Sequence, residues 1–263
     1  MTYDKYERLA FERRSDGVLL VTINRPEKHN AADSIMLAEF ATVWDDIAKD
    51  EETRVAVVTG AGDRAFCAGG DLAEERDKLS DFPSVVKTLH EARALVAGVI
   101  ECDKPIISAI NGPAAGAGLA VALLADISII GEDVKFTDGH LRIGLAAGDH
   151  AALIWPLLCG MAKAKYFLLT ADQIDGREAE RIGLVSKAVP REKVLDEALA
   201  VAHRLATGPQ YATQWTKHAL NNWLRLAMPT FESSLGLEML TFFSPDANEG
   251  MSAFLERRKP DFA

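Results

Sequence analysis

Two short stretches, Phe66-Cys67-Ala68-Gly69-Gly70-Asp71 and Asn111-Gly112-Pro113-Ala114-Ala115-Gly116-Ala117-Gly118, carry residue types suited to chemistry at a carbonyl group. Each follows a strand-like apolar run, 55–59 and 105–110, and each places glycine and alanine where a strand gives way to a helix. The first amides of a helix have no intrahelical partner, and small residues let a ligand approach them closely. Two such amides from separate turns, aimed at one point, form an oxyanion hole that stabilises a carbonyl oxygen as it takes up negative charge. One turn alone serves equally well for close packing or phosphate binding. A nucleotide site of another kind is disfavoured, because no Gly-x-Gly-x-x-Gly with a following acidic ribose ligand and no Walker-type Gly-Lys-Ser/Thr is present.

An oxyanion hole needs a group that moves protons. Asp149, in Gly144-Leu145-Ala146-Ala147-Gly148-Asp149-His150, is one acid/base candidate by residue type, and it is equally well placed to cap the helix expected to follow. His140 is a second candidate, since its unperturbed pKa of about 6.5 suits a base near neutrality. His150 and Asp138 are weaker ones. Glu74 and Glu75 read as a solvated helix start, and Cys67 as a small buried residue rather than a nucleophile. Cys67, Cys102 and Cys159 are odd in number and far apart, which suggests neither a disulfide framework nor a zinc site, and no other metal constellation is evident.

The elements that must position these residues alternate at first. Residues 9–13 and 18–24 read as a hairpin about Gly17, 34–50 as an amphipathic helix, 55–59 as a buried strand and 84–102 as a helix. Then come strand 105–110, a small-residue helix over 115–125, and strands 127–130 and 134–136. Strand, strand, helix recurs without a sharp repeat, a pattern shared by a spiral of ββα turns and by other α/β sheets. Beyond Gly148 the pattern is almost wholly helical: 149–159, 162–169, 177–182, 191–207, 210–227, 231–243 and 248–257, with one strand-like interruption at 184–189. The mixed charge and Pro83 of residues 72–88 suggest a mobile pocket wall.

Composition limits the alternatives. A chain of 263 residues with 48% hydrophobic content can bury a sizeable core. A net charge of -10 disfavours nucleic acid as a partner, since phosphate neutralisation needs a basic face. The N-terminal residues lack a basic, apolar leader and the apolar runs are interrupted, so cytoplasmic residence without a membrane is the expectation.

The stretch from Ile107 to Asp126 resembles the signature of the crotonase (enoyl-CoA hydratase/isomerase) superfamily. Asn24-Arg25-Pro26 through Asn30-Ala31, Ala65 to Leu72, Gly176 to Val185 and Gly250 to Lys259 agree in order, so the resemblance covers essentially the whole chain. It implies an α/β, crotonase-like spiral of ββα turns over residues 1–200 carrying an acyl-CoA site. It also implies a C-terminal helical region, 201–263, that builds homotrimers or hexamers. The activity implied is that of an acyl-CoA enzyme, a lyase or isomerase of fatty acid metabolism, with a CoA thioester as substrate and no further cofactor. By the same resemblance the amides of Gly70 and Ala117 hold the thioester enolate, Ala68 accepts from the adenine, Lys28 and Arg64 approach the phosphates, and Phe254 and Arg257 close over the CoA. The two glutamates that hydratases of this family use fall here on Ala120 and His140, so the usual pair is absent. That departure leaves Asp149 or His140 to move the proton, and keeps open a superfamily thioester or β-dicarbonyl hydrolase, or a non-catalytic CoA-thioester binder.

Overall fold

The computed structural model describes residues 2–262. Its centre is a six-stranded sheet made of β1 (Leu9–Arg13), β2 (Val18–Ile23), β3 (Val55–Gly60), β4 (Ile106–Ile110), β5 (Ile127–Gly131) and β8 (Lys187–Val189), in that spatial order. β1 and β2 form an antiparallel hairpin, and every later pairing in the sheet is parallel. β6 (Lys135–Phe136) and β7 (Ile174–Asp175) make a separate antiparallel pair, the latter not anticipated from the sequence.

Parallel strands need crossovers, and the helices supply them. These are α1 (Ser34–Phe40), α2 (Val43–Lys49), α3 (Leu72–Asp77), α4 (Phe82–Glu101), α5 (Gly116–Leu124), α6 (Ala151–Thr170), α7 (Gly176–Arg181), α8 (Val194–Ala206), α9 (Gln210–Leu220), α10 (Asn222–Thr241) and α11 (Pro245–Leu255). The period-two alternation of the strands divides the core. Leu19, Val21, Ala56, Val58, Ile106 and Ile110 face one large cluster, while Val18, Leu20, Val55, Val57, Ile107 and Ala109 face a smaller one closed by Val194, Ala198 and Ala202 of α8. Each large apolar side chain buried in this way contributes about 1.5–3 kcal/mol. Phe231, Leu235, Met239 and Met251 of the C-terminal helices belong to the large cluster, together with Leu9 and Ile23 of the hairpin.

Several boundaries differ from the sequence reading. The helix expected over 34–50 is two helices, because Thr42 Oγ1 bonds back to the carbonyls of Ala38 and Glu39 at the junction. The wall expected over 72–88 contains a whole turn, α3, capped by the Asp71 carboxylate accepting from Ala73 N–H. The break expected near Pro229 lies instead at Asn221, whose buried amide donates to Ile100 O. Pro229 sits inside α10, where it removes a single donor from the helix ladder. α6 has the length and hydropathy of a membrane span, yet Gly160 at φ 78°, ψ 155° divides it into two pieces, each about half the roughly 20 residues a span requires.

Candidate active site

The two glycine-rich turns lie side by side. Cys67 pairs with Ala114 in a parallel bridge, Phe66 N–H donates to Pro113 O at 3.0 Å and Ala115 N–H to Cys67 O at 3.1 Å. Gly118 makes this approach possible, since a Cβ there would lie 2.4 Å from Cys67 O. On its other side the first turn is held by residues 25–32. The buried Asn30 donates to Ala61 O and Ala65 O, and Ala32 N–H donates to Gly69 O. Gly69 needs its positive φ of 91°, and a Cβ on it would press against Ala115 O at 3.1 Å. Gly70 and Ala117 therefore stand on adjoining turns, Ala117 in the first turn of α5 where amide donors are free of the helix ladder. Cys67, packed against Ala114 and Gly118, is fully buried, and burial pushes its thiol up to about 12, which disfavours the thiolate.

The acid/base groups gather beside the second turn. Gly139 and Gly144, both left-handed, bracket a short 3-10 turn over His140–Ile143 and aim the His140 ring inward. A Cβ on Gly116 would lie 4.0 Å from His140 Cε1, which places the imidazole against the second turn, one residue from Ala117. His140 Nδ1 lies 2.8 Å from Asp138 Oδ1, and its Nε2 faces Asp149 Oδ2 and Glu238 Oε1, each at 3.7 Å. Those last two separations exceed hydrogen-bond length. Asp138 and Asp149 address opposite nitrogens of the same ring, and the three side chains offer ligand atoms within 4.8 Å of one another, a spacing that could also hold a metal ion.

Electrostatics then separates the groups. Burial alone would lower the pKa of His140, but Asp138, Asp149 and Glu238 outweigh it and hold the ring well above 6.5. Burial also acts to raise Asp149, yet His150 and His140 bring its carboxyl down to about 2. Glu238 goes the other way: burial lifts it well above 4.5, Asp149 and Asp138 lift it further, and the opposing pull of His140 is insufficient.

Asp149 and His140, from the sequence reading, thus come together with Asp138 and His150, but the structure corrects the capping role of Asp149. The N-cap of α6 is His150, with no side-chain capping bond, and Asp149 Oδ1 lies 2.6 Å from His150 Nδ1 instead. Glu75, expected to be solvated, is buried. It pairs with Lys78 at 2.8 Å, and its carboxylate abuts Gly70. Ala120 is buried within α5. Lys28 and Arg64 are exposed close to the first turn, Arg64 Nη2 lying 3.0 Å from His29 Nε2, and Ala68, also exposed, donates its N–H to His29 O. Phe254 and Arg257 are exposed at the end of α11. That helix packs on the 3-10 turn so tightly that a Cβ on Gly250 would lie 2.4 Å from Ile143 C. The two surface grooves along α1 and α4 contain none of these residues.

Sequence reasoning missed Glu238. α10 is locked to the Asp149 loop by Ser234 Oγ donating to Gly148 O, Gly148 N–H to Glu238 Oε2 and Ala146 N–H to Thr241 Oγ1. A Cβ on Gly148 would lie 2.1 Å from Ser234 O, so this contact requires glycine. The signal was present in the sequence: Phe231, Leu235, Glu238 and Phe242 recur at core spacing, with one carboxylate in an apolar stripe.

The enoyl-CoA hydratase/isomerase family profile matches residues 13–263. A 1,2-epoxyphenylacetyl-CoA isomerase of Escherichia coli is 33% identical over 252 residues, covering 94% of this chain and 95% of its own. The crystal structure of an enoyl-CoA hydratase/isomerase from Mycobacterium paratuberculosis superposes with a TM-score of 0.90 at 31% identity, over 95% of this chain and 99% of that one. A β-diketone hydrolase from the cyanobacterium Anabaena, solved with (S)-3-oxocyclohexyl acetic acid, superposes with a TM-score of 0.84 at 30% identity, over 91% of this chain and 96% of that one.

Proposed function

The chain belongs to the enoyl-CoA hydratase/isomerase family, and from that premise we propose that it hydrolyses a carbon–carbon bond of a 1,3-dicarbonyl compound, with His140 as base and the amides of Gly70 and Ala117 as oxyanion hole. The observation that carries this reading is His140 Nε2 facing Asp149 and Glu238 at 3.7 Å beside the second turn, at a position where the family resemblance expects a hydratase glutamate. Asp138 fixes the ring by accepting from Nδ1–H, which leaves Nε2 to take a proton from water. The hydroxide attacks one carbonyl carbon, whose oxygen receives a hydrogen bond from the neutral Glu238 carboxyl. Collapse breaks the bond to the central carbon and releases a carboxylic acid. The electron pair passes to the second carbonyl, whose enolate oxygen lies between the two amides. The imidazolium, stabilised by Asp138 and Asp149, returns its proton to the enolate carbon, so water is added across the broken bond with nothing left over.

The name of the Anabaena relative supports this chemistry. Free diketones and β-ketoacyl-CoA thioesters share the dicarbonyl unit. In the second case Lys28, Arg64 and Ala68 receive the nucleotide, with Phe254 and Arg257 closing over it, and CoA enters as part of the substrate. The test is a parallel assay of a cyclic 1,3-diketone, acetoacetyl-CoA, crotonyl-CoA and a 3-enoyl-CoA. Cleavage of either dicarbonyl with negligible hydration supports the reading, and robust crotonyl-CoA hydration sinks it. We also propose a homotrimer or hexamer, because Trp215, Trp223, Leu226, Leu237 and Leu240 expose a large apolar surface on α9 and α10. A single 28.6 kDa species in light scattering at micromolar concentration would contradict that.

A further inference from the structure

Two carboxylates, Asp149 and Glu238, face the same imidazole nitrogen at the same distance, with a third, Asp138, behind the ring. Carboxylates gathered this closely in a buried site do not all ionise together, and a difference in environment must decide which one keeps a proton. The groups that face the cluster are few. Among the described residues, the ion pairs of His140 and His150 are with Asp138, Asp149 and Glu238 alone. Glu238 receives one backbone donor, Gly148 N–H at 3.1 Å. Asp149 receives something different, the ring of His150 at 2.6 Å on the oxygen turned away from His140.

His150 has no other polar employment. It is fully buried, its side chain does not cap α6, and its Nε2 is without a hydrogen-bond partner among the described residues. An ionised carboxylate is an acceptor only, so Nδ1 must carry the hydrogen in this contact, while Nε2 is left as a buried polar atom without a partner. An unsatisfied buried polar atom is costly, and an apolar side chain would avoid that cost. The imidazole is therefore best understood through the one bond that it does make.

We propose that His150 is a positioning residue that decides which carboxylate is the anion: by donating from Nδ1 to Oδ1 of Asp149 it places the negative charge there and leaves the proton on Glu238. This rests on the reading of the site given above, in which Glu238 is a hydrogen-bond donor to substrate. Without the Nδ1–H bond Asp149 keeps only the pull of His140 and of a backbone N–H, and part of the proton passes from Glu238 to it.

The test uses the full-length protein with 13C-labelled Asp and Glu carboxyl carbons, their signals assigned through D149N and E238Q, and follows the titration of both groups by NMR. In the wild type at pH 7 the Glu238 carboxyl is expected to be protonated and the Asp149 carboxyl ionised; the reverse overturns the proposal without any variant. In H150L the midpoint of Asp149 should rise, that of Glu238 should fall, and kcat should drop about 10²-fold with a smaller change in KM. H150N, which retains an N–H near the Nδ1 position, should restore most of what H150L loses in both readouts. Carboxyl titrations in H150L that coincide with those of the wild type would also overturn the proposal. Should H150L fail to fold, H150F takes its place, since it keeps the bulk of the ring without a donor; carboxyl midpoints in H150F that match the wild type overturn the proposal. A protein with the expected charge distribution that cleaves no dicarbonyl refutes the function proposed above and leaves this inference standing.

Discussion

The two halves of the site are built on opposite principles. The side proposed as the oxyanion hole is backbone: Gly69, Gly70, Gly116 and Gly118 act through missing side chains, and the turns that hold them are bound to each other by main-chain bonds such as Ala115 N–H to Cys67 O. The acid/base side is all side chain, with Asp138 and His140 from one loop, Asp149 and His150 from the next, and Glu238 from a helix about 90 residues further on. The first half tolerates changes of residue type wherever the backbone path survives. The second is intolerant, because each group has its charge set by the others.

The largest expected effect lies in the second half. D149N and H140A should each lower kcat for dicarbonyl cleavage by roughly 10²- to 10⁴-fold, the usual contribution of a positioned acid/base, with circular dichroism unchanged. E238Q comes next, at about 10²-fold, because the amide can still donate a hydrogen bond but no longer shares a proton with the cluster. The pH–rate profile should be displaced upward as a whole. In the proposed mechanism His140 works deprotonated and Glu238 protonated, and both are held above their ordinary values of 6.5 and 4.5, so the rising limb should lie above pH 6.5. A rising limb at pH 5 would remove His140 as base.

Stability should follow the same charges with signs that can be worked out. Asp149 is depressed from 3.8 to about 2, so its contribution is present above pH 3.8 and lost as pH falls toward 2. Glu238 and His140 are raised, so their contributions are fully present below 4.5 and 6.5 respectively and are lost as pH rises through the folded values. Thermal melts of D149N across pH 2–5 should therefore be flatter than the wild type, and those of E238Q flatter from about pH 4.5 upward.

The oxyanion half gives the smaller responses. G118A must push the second turn off Cys67 O, where its Cβ would sit at 2.4 Å, and should cost about 1–3 kcal/mol along with most of the activity. A117G is expected to change kcat by no more than about 3-fold, since the donor is the amide and not the methyl group. A loss of 10²-fold in A117G would mean that the alanine side chain itself shapes the substrate pocket, and the comparison between the halves would have to be redrawn.

These contrasts also separate what was legible in the chain. Turns of small residues after apolar strands, the buried alternation of 18–23 and 55–60, and the helical C-terminal third can be read from spacing, because backbone conformation and face are local properties of a few consecutive residues. His140 and Asp149 could be singled out through the family resemblance, which places them at a hydratase glutamate position and in a loop that relatives bring over the acyl group. Their relation could not. That Asp149 turns to His150 instead of capping α6, that Asp138 takes one face of the His140 ring, and that a glutamate from α10 reaches the other are consequences of Gly148 and Ser234 letting two distant segments touch. Sequence determined which donors, acceptors and titratable groups exist. Tertiary packing alone decided which of them keeps a proton, because that depends on distances of a few ångströms in a buried medium between residues the chain itself holds far apart.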